Sequence, residues 1–159
     1  MRYHGRPVKL WKKLTGSLSF APLLIGLALG GNLLWMNVRS DDPLPAGFAR
    51  YTPEGFSAAQ AAGGPIMVDV YASWCTTCKA QHAVLKDLLD DPRYAGIKGF
   101  RVDFEGDAEW VRAHRVAVQS TIIMFNGFEE LNRSAGSTRE AAIRGQVDAA
   151  LAAMPGYAP

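Results

Sequence analysis

The sequence predicts an α/β domain, a central mixed sheet with helices on both faces, preceded by an N-terminal transmembrane helix or signal segment. Three observations lead there. Beyond residue 47, short β-branched and apolar runs alternate with helical patterns, as strands joined by covering helices do. An Asn-Gly dipeptide separates two of the later runs and marks a hairpin, so the sheet is not wholly parallel. Ahead of all this, residues 14–38 carry no charged side chain.

The 159 residues are 48% apolar and 20% charged, the proportions of one ordinary globular core. A formal net charge of +2 hides an asymmetry. Arg2, Arg6, Lys9, Lys12 and Lys13 load the head, residues 1–13, and the rest is mildly acidic. That balance gives no support to a nucleic-acid-binding face, which would cluster cations on the folded part.

Residues 14–38, as a helix rising about 1.5 Å per residue, are long enough for a hydrocarbon core of roughly 30 Å. The basic head keeps the N-terminus in the cytoplasm and sends the rest out. A cleaved signal competes with an anchor, since Leu18–Leu29 has the length of a signal core and Ala28-Leu29-Gly30 offers small residues at its end. Apolar character resumes at Leu33-Leu34-Trp35-Met36, which favours the anchor. Residues 39–47, RSDDPLPAG, read as a short tether, and 48–159 as the exported domain.

Within that domain the Ala-rich SAAQAAGG is a short helix stopped by Gly-Gly-Pro. Ile66–Tyr71 is a strand buried on both faces. A helix follows from Cys75 to about Leu89, with Val84, Leu85, Leu88 and Leu89 inward and Asp90-Asp91-Pro92 ending it. A second strand covers about Ile97–Asp103, a short helix about Asp107–His114, and a third strand Thr121–Phe125. Asn126-Gly127 turns the chain into Glu129–Ser134. Ser137-Thr138-Arg139-Glu140 has the form of a capping box, opening a last helix with Ile143, Val147, Leu151 and Met154 at helical spacing.

The chemistry concentrates in YASWCTTCKAQH, residues 71–82, which holds both cysteines of the chain. A purely structural disulfide is a poor use of so short a loop, worth only about 2 kcal/mol in the chain-entropy model. A c-type haem site needs histidine after Cys78, where Lys79 stands, and zinc as a rule needs four ligands. Two uses remain. One is thiol-disulfide exchange. The other is a soft metal such as Cu(I), held by Cys75, Cys78 and His82, which lies four residues beyond Cys78 on the same helix face. His114 reads as a surface residue.

The segment VDVYASWCTTCK resembles the active-site segment of the thioredoxin superfamily, a buried strand feeding W-C-x-x-C-K at a helix start. HRVAVQSTIIMFNG resembles the family's later strand and hairpin. The similarity covers about Gly47 to Met154 and implies a thioredoxin-like fold. It also implies thiol-disulfide exchange on exported proteins without a cofactor beyond the Cys75–Cys78 pair, with periplasmic, membrane-anchored reductases as the nearest kind. A membrane electron donor or acceptor upstream is the partner that follows, and a copper-binding metallochaperone is the alternative.

In that frame Cys75 is the nucleophile, its sulfur at the positive end of the helix dipole, which favours the thiolate. Cys78 is the resolving thiol. Asp69, six residues before Cys75, corresponds to the family's buried acid. Its burial would raise its pKa and let it relay a proton to or from Cys78. Trp74 completes the motif. Ser120, before Thr121, takes the place of the family's cis-proline. A cis Gln119–Ser120 bond would cost about 3–4 kcal/mol, so trans is expected, and the Ser120 hydroxyl has room to approach a thiolate or a metal. Thr76-Thr77 replaces the Gly-Pro of thioredoxin itself. Lys98 and Arg101 are candidates for the partner some members place beside the buried acid.

Overall fold

The computed structural model describes residues 43–156. The basic head, the expected membrane or signal segment 14–38 and the first four residues of the tether, 39–42, lie outside the described residues. Among the described residues no helix is long and apolar enough to cross a membrane.

The chain runs β1 (Phe48–Arg50), α1 (Pro53–Ala62), β2 (Pro65–Tyr71), α2 (Thr76–Leu89), a 3-10 turn (Pro92–Tyr94), β3 (Lys98–Asp103), α3 (Ala108–Ala113), β4 (Thr121–Asn126), β5 (Glu129–Ala135) and α4 (Glu140–Ala152). The five strands form one sheet in the order β1-β3-β2-β4-β5. β3 is parallel to β1 and β2, while β4 is antiparallel to β2 and β5, so the sheet is mixed, as expected.

Alternation along the strands sorts the core into two layers. Ile66, Val68 and Val70 of β2 join Phe100, Val102, Ile123 and Phe125 against Phe56 of α1 and Trp110 of α3. Met67, Ile122 and Met124 face the other way, against Leu85 and Leu88 of α2 and Ile143, Val147 and Leu151 of α4. Asp69 has the parity of Met67, which turns a carboxylate towards the α2 side.

Several local expectations need correction. β1 has no counterpart in the sequence reading; it is three residues long and lies in register with β3, Phe48 opposite Gly99. A Cβ on Gly99 would overlap the Phe48 ring, so the strand depends on its neighbour's lack of a side chain. α1 begins earlier than expected, at Pro53, because the Thr52 hydroxyl caps the Gly55 N–H at 3.1 Å. The hairpin turn is Gly127-Phe128, since Asn126 pairs with Glu129. Gly127 at its first central position takes the positive φ, 55°, that a two-residue turn of this kind asks of glycine. The capping box does not form. α4 is capped at Arg139 without a side-chain bond, and the Glu140 carboxylate instead accepts from Arg144 Nη2 at 2.9 Å, one turn along the helix.

Candidate active site

α2 starts at a cysteine used as a cap. Cys75 is the N-cap residue, and its Sγ accepts the Cys78 N–H at 3.1 Å, the bond a serine or aspartate oxygen makes at most helix starts. The Cys75 N–H donates to the Ala72 carbonyl at 3.0 Å, which fixes the sulfur relative to the end of β2. Both cysteines are free thiols, Cys75 5% exposed and Cys78 0%. Burial, the bond to the Cys75 sulfur and the nearby Asp69 charge together push the Cys78 thiol up to about 12.

Asp69 is fully buried. Its Oδ2 accepts from Arg101 Nε at 3.3 Å, and its Oδ1 has no hydrogen-bond partner among the described residues. Burial raises the carboxyl to about 6 against the pull of the Arg101 guanidinium, so desolvation wins over the ion pair. Arg101 is the partner because register puts it opposite Asp69, whereas Lys98 sits opposite Ile66 and is exposed. The guanidinium lies over the Tyr71 ring at 4.1 Å. It also donates to the Pro43 carbonyl at 3.3 Å and meets His82 Nδ1 at 2.7 Å. Arginine carries donors only, so His82 Nδ1 is the acceptor there.

That contact bears on the metal alternative. His82 turns its Nδ1 to a buried cation rather than to the thiols, and a cation at that distance opposes a metal ion on the same nitrogen. Among the described residues no group of three or more His, Cys, Asp or Glu side chains is placed to hold a metal. His114 lies elsewhere, stacked on Trp110 at 3.9 Å and edge-on to Phe56 and Phe125. It is a rim residue of the α1/α3 layer.

The remaining expected residues are Trp74, Ser120 and Thr121. Trp74 is 57% exposed, steadied by a bond from Nε1 to Glu105 Oε1 at 3.2 Å. Ser120 and Thr121 are buried. No peptide bond among the described residues is cis, and Ser120 takes φ 58°. Its hydroxyl does not reach towards the sulfurs but donates to the Gln119 carbonyl at 2.6 Å. Thr121 Oγ1 donates to the Val118 carbonyl at 2.7 Å. The Ser120 N–H donates to Val70 in β2 at 2.8 Å, which ties the loop to the strand that leads into the cysteines. Sequence reasoning missed Gln81, fully buried, whose Nε2 donates to the Ser120 carbonyl at 3.1 Å. The signal was available, because a glutamine stands in the otherwise apolar stripe Cys78, Gln81, Leu85, Leu88 of α2.

Comparisons with known proteins agree with this geometry. The family model described as Thioredoxin matches residues 48–149. The thiol:disulfide interchange protein CycY of Rhizobium leguminosarum is 30% identical over 94 residues, 48% of this chain and 50% of that protein. The thiol:disulfide interchange protein DsbE of Escherichia coli is 33% identical over 85 residues, 42% of this chain and 46% of that protein. The crystal structure of Trxlp from Edwardsiella tarda is 35% identical with a TM-score of 0.61, covering 63% of this chain and 97% of that one. The chain spans about half the length of these two interchange proteins. A family match running from β1 into α4, over a sheet that carries Cys75 and Cys78 at the start of α2, places this chain in the thioredoxin family.

Proposed function

We propose that the chain is a thiol-disulfide oxidoreductase acting on exported proteins, in the reducing direction, with Cys75 and Cys78 as its redox pair and no separate cofactor. The observation that carries this reading is the placement of the Cys75 sulfur as the cap of α2, with the buried Asp69 near enough to Cys78 for its charge to raise that thiol. CycY and DsbE, by their names thiol:disulfide interchange proteins, point to the same chemistry. The charge-free segment 14–38 behind a basic head supports a single-pass anchor in the inner membrane with the domain in the periplasm; signal cleavage would leave the same domain soluble there.

In the reducing direction the Cys75 thiolate attacks one sulfur of a client disulfide. The client's other sulfur leaves as a thiolate and takes up a proton, and a mixed disulfide forms. Cys78 then gives its proton to Asp69 and attacks the Cys75 sulfur. The client's second thiol is released, and two electrons have passed from the dithiol to the client. Asp69 suits the proton step because at about 6 its carboxylate predominates at neutral pH yet holds a proton far better than an exposed aspartate. A thiol high in its range, as Cys78 is, needs such an acceptor. Trp74 is the exposed side chain that a client meets, and buried Ser120 and Thr121 shape the loop that carries exposed Val118. The oxidised pair is reset by a dithiol donor at the membrane.

The test is a redox titration in defined glutathione buffers, with free thiols counted by alkylation and mass spectrometry and metal assayed on the same sample. A single two-electron transition of Cys75 and Cys78 in metal-free protein is expected, at a potential below that of the surrounding compartment. A Cys78→Ser chain is expected to accumulate a mixed disulfide through Cys75. Stoichiometric copper that blocks alkylation would overturn the proposal, as would a pair that never oxidises.

A further inference from the structure

Gln81 occupies a position where a leucine would be the economical choice. It is fully buried, one helical turn past Cys78, between apolar neighbours on the inward stripe of α2. A buried amide costs stability unless its groups are paired. Only one side of this amide is paired: Nε2 donates to Ser120, and Oε1 has no hydrogen-bond partner among the described residues. The use of the residue therefore lies in that single bond.

Ser120 is itself in an uncommon state. Its φ of 58° is a region that residues with a Cβ enter at a steric cost. Three hydrogen bonds hold it there: its N–H to Val70, and its carbonyl shared between the Gly136 N–H at 2.8 Å and Gln81 Nε2. Val70 lies in β2, and Gly136 follows directly on β5. Gln81 lies on the helix that carries Cys78, so its amide ties the loop to the dithiol. Just before Ser120, Val118 is 46% exposed, and the backbone N–H groups of Val118 and Gln119 donate to nothing among the described residues. Free backbone donors beside an exposed apolar side chain suit an extended polypeptide, which pairs through its main chain.

We infer that Gln81 is a positioning residue for protein substrates: through the Ser120 carbonyl it fixes the Val118–Gln119 backbone relative to α2. The chain holds its substrate-facing loop by a buried glutamine and a left-handed serine. The inference rests on the oxidoreductase reading above, and it concerns binding of a polypeptide, not the reactivity of the thiols.

The experiment uses the full chain in detergent and two oxidised substrates, insulin, whose disulfides lie within polypeptide, and 5,5′-dithiobis(2-nitrobenzoate), which has no peptide backbone. Gln81→Met keeps length and apolar volume and removes the donor. KM for insulin is expected to rise about fivefold to tenfold, the equivalent of one lost hydrogen bond, with kcat and the rate on the small disulfide within about twofold. Unchanged KM overturns the inference. A parallel fall on both substrates also overturns it, because Gln81 would then serve only the integrity of the dithiol helix. A wild-type chain that reduces neither substrate defeats the oxidoreductase reading instead. Should the variant fail to fold, the Gln81 side-chain amide resonances of the wild-type chain decide the matter as reduced insulin B chain is added. Movement supports the tie, and static resonances overturn it.

Discussion

Replacing Asp69 by asparagine isolates the electrostatic cost of the site. The carboxyl rises from 3.8 to about 6 in the fold, and each tenfold change in proton affinity is worth about 1.4 kcal/mol. The folded state therefore binds this proton about 3 kcal/mol more tightly than the unfolded chain does. Since the folded value is the higher one, the stabilising contribution is complete below about pH 3.8, declines as pH rises towards 6, and is gone above that. Asparagine keeps the shape and never ionises. In urea unfolding of a 39–159 fragment, a compact unit of the chain, held reduced, wild type and Asp69→Asn should have nearly the same pH trend up to about pH 4. By pH 8 the variant should have gained about 3 kcal/mol on wild type, because wild type alone carries a buried anion. The other carboxylates titrate in both proteins and cancel in the difference. Parallel curves from pH 4 to pH 8 would mean that Asp69 ionises as an exposed aspartate does, and the account of burial outweighing Arg101 would fail.

Two further outcomes follow from the same contacts. Arg101 holds the Asp69 carboxyl down both by its charge and by its hydrogen bond, so Arg101→Met should raise the Asp69 titration further above 6, read by carbon-13 NMR of the carboxyl; no upward movement would remove Arg101 from the account. Gly99→Ala would drive a methyl into the Phe48 ring and should cost about 1–3 kcal/mol in urea unfolding, the usual penalty of overpacking, with β1 the first element to lose amide protection.

Elements with a strong period of their own were legible in the sequence. β2 declares itself because every one of its residues is buried and the sequence there is continuously apolar or β-branched apart from Asp69. α2 and α4 were legible through stripes that remain inward in the fold. What stayed hidden depended on partners distant in sequence. β1 is three residues whose strand state rests on Gly99 in β3. The capping box at Ser137 matched its pattern, but Glu140 had a competing partner in Arg144 on the same helix. Arg101 and Lys98 were indistinguishable by proximity along the chain; the parallel register separates them, setting Arg101 across from Asp69. His82 shares a helix face with Cys78, yet a face is about 100° wide, enough for its Nδ1 to meet Arg101 of β3.

The unfavourable features of the domain are not scattered. Four buried side-chain atoms lack hydrogen-bond partners among the described residues, and two of them, Asp69 Oδ1 and Gln81 Oε1, belong to residues packed about Cys78. Ser120, bonded to Gln81, is one of two non-glycine residues with positive φ among the described residues, and Asp69 holds its anion in a place that raises it to about 6. Sequence drift towards stability would replace each: asparagine or leucine for Asp69, leucine for Gln81, glycine for Ser120. Costs clustered on one spot indicate use rather than accident. On the proposed reading each has its own use: Asp69 accepts the proton of a thiol too weak an acid to lose it unaided, and Gln81 with Ser120 holds the backbone a client lies along. The Asp69→Asn chain should accordingly be the more stable protein at pH 8 and the slower one at resolving a mixed disulfide. A variant that gained stability and kept its resolving rate would separate the two properties and leave the buried carboxylate without a function.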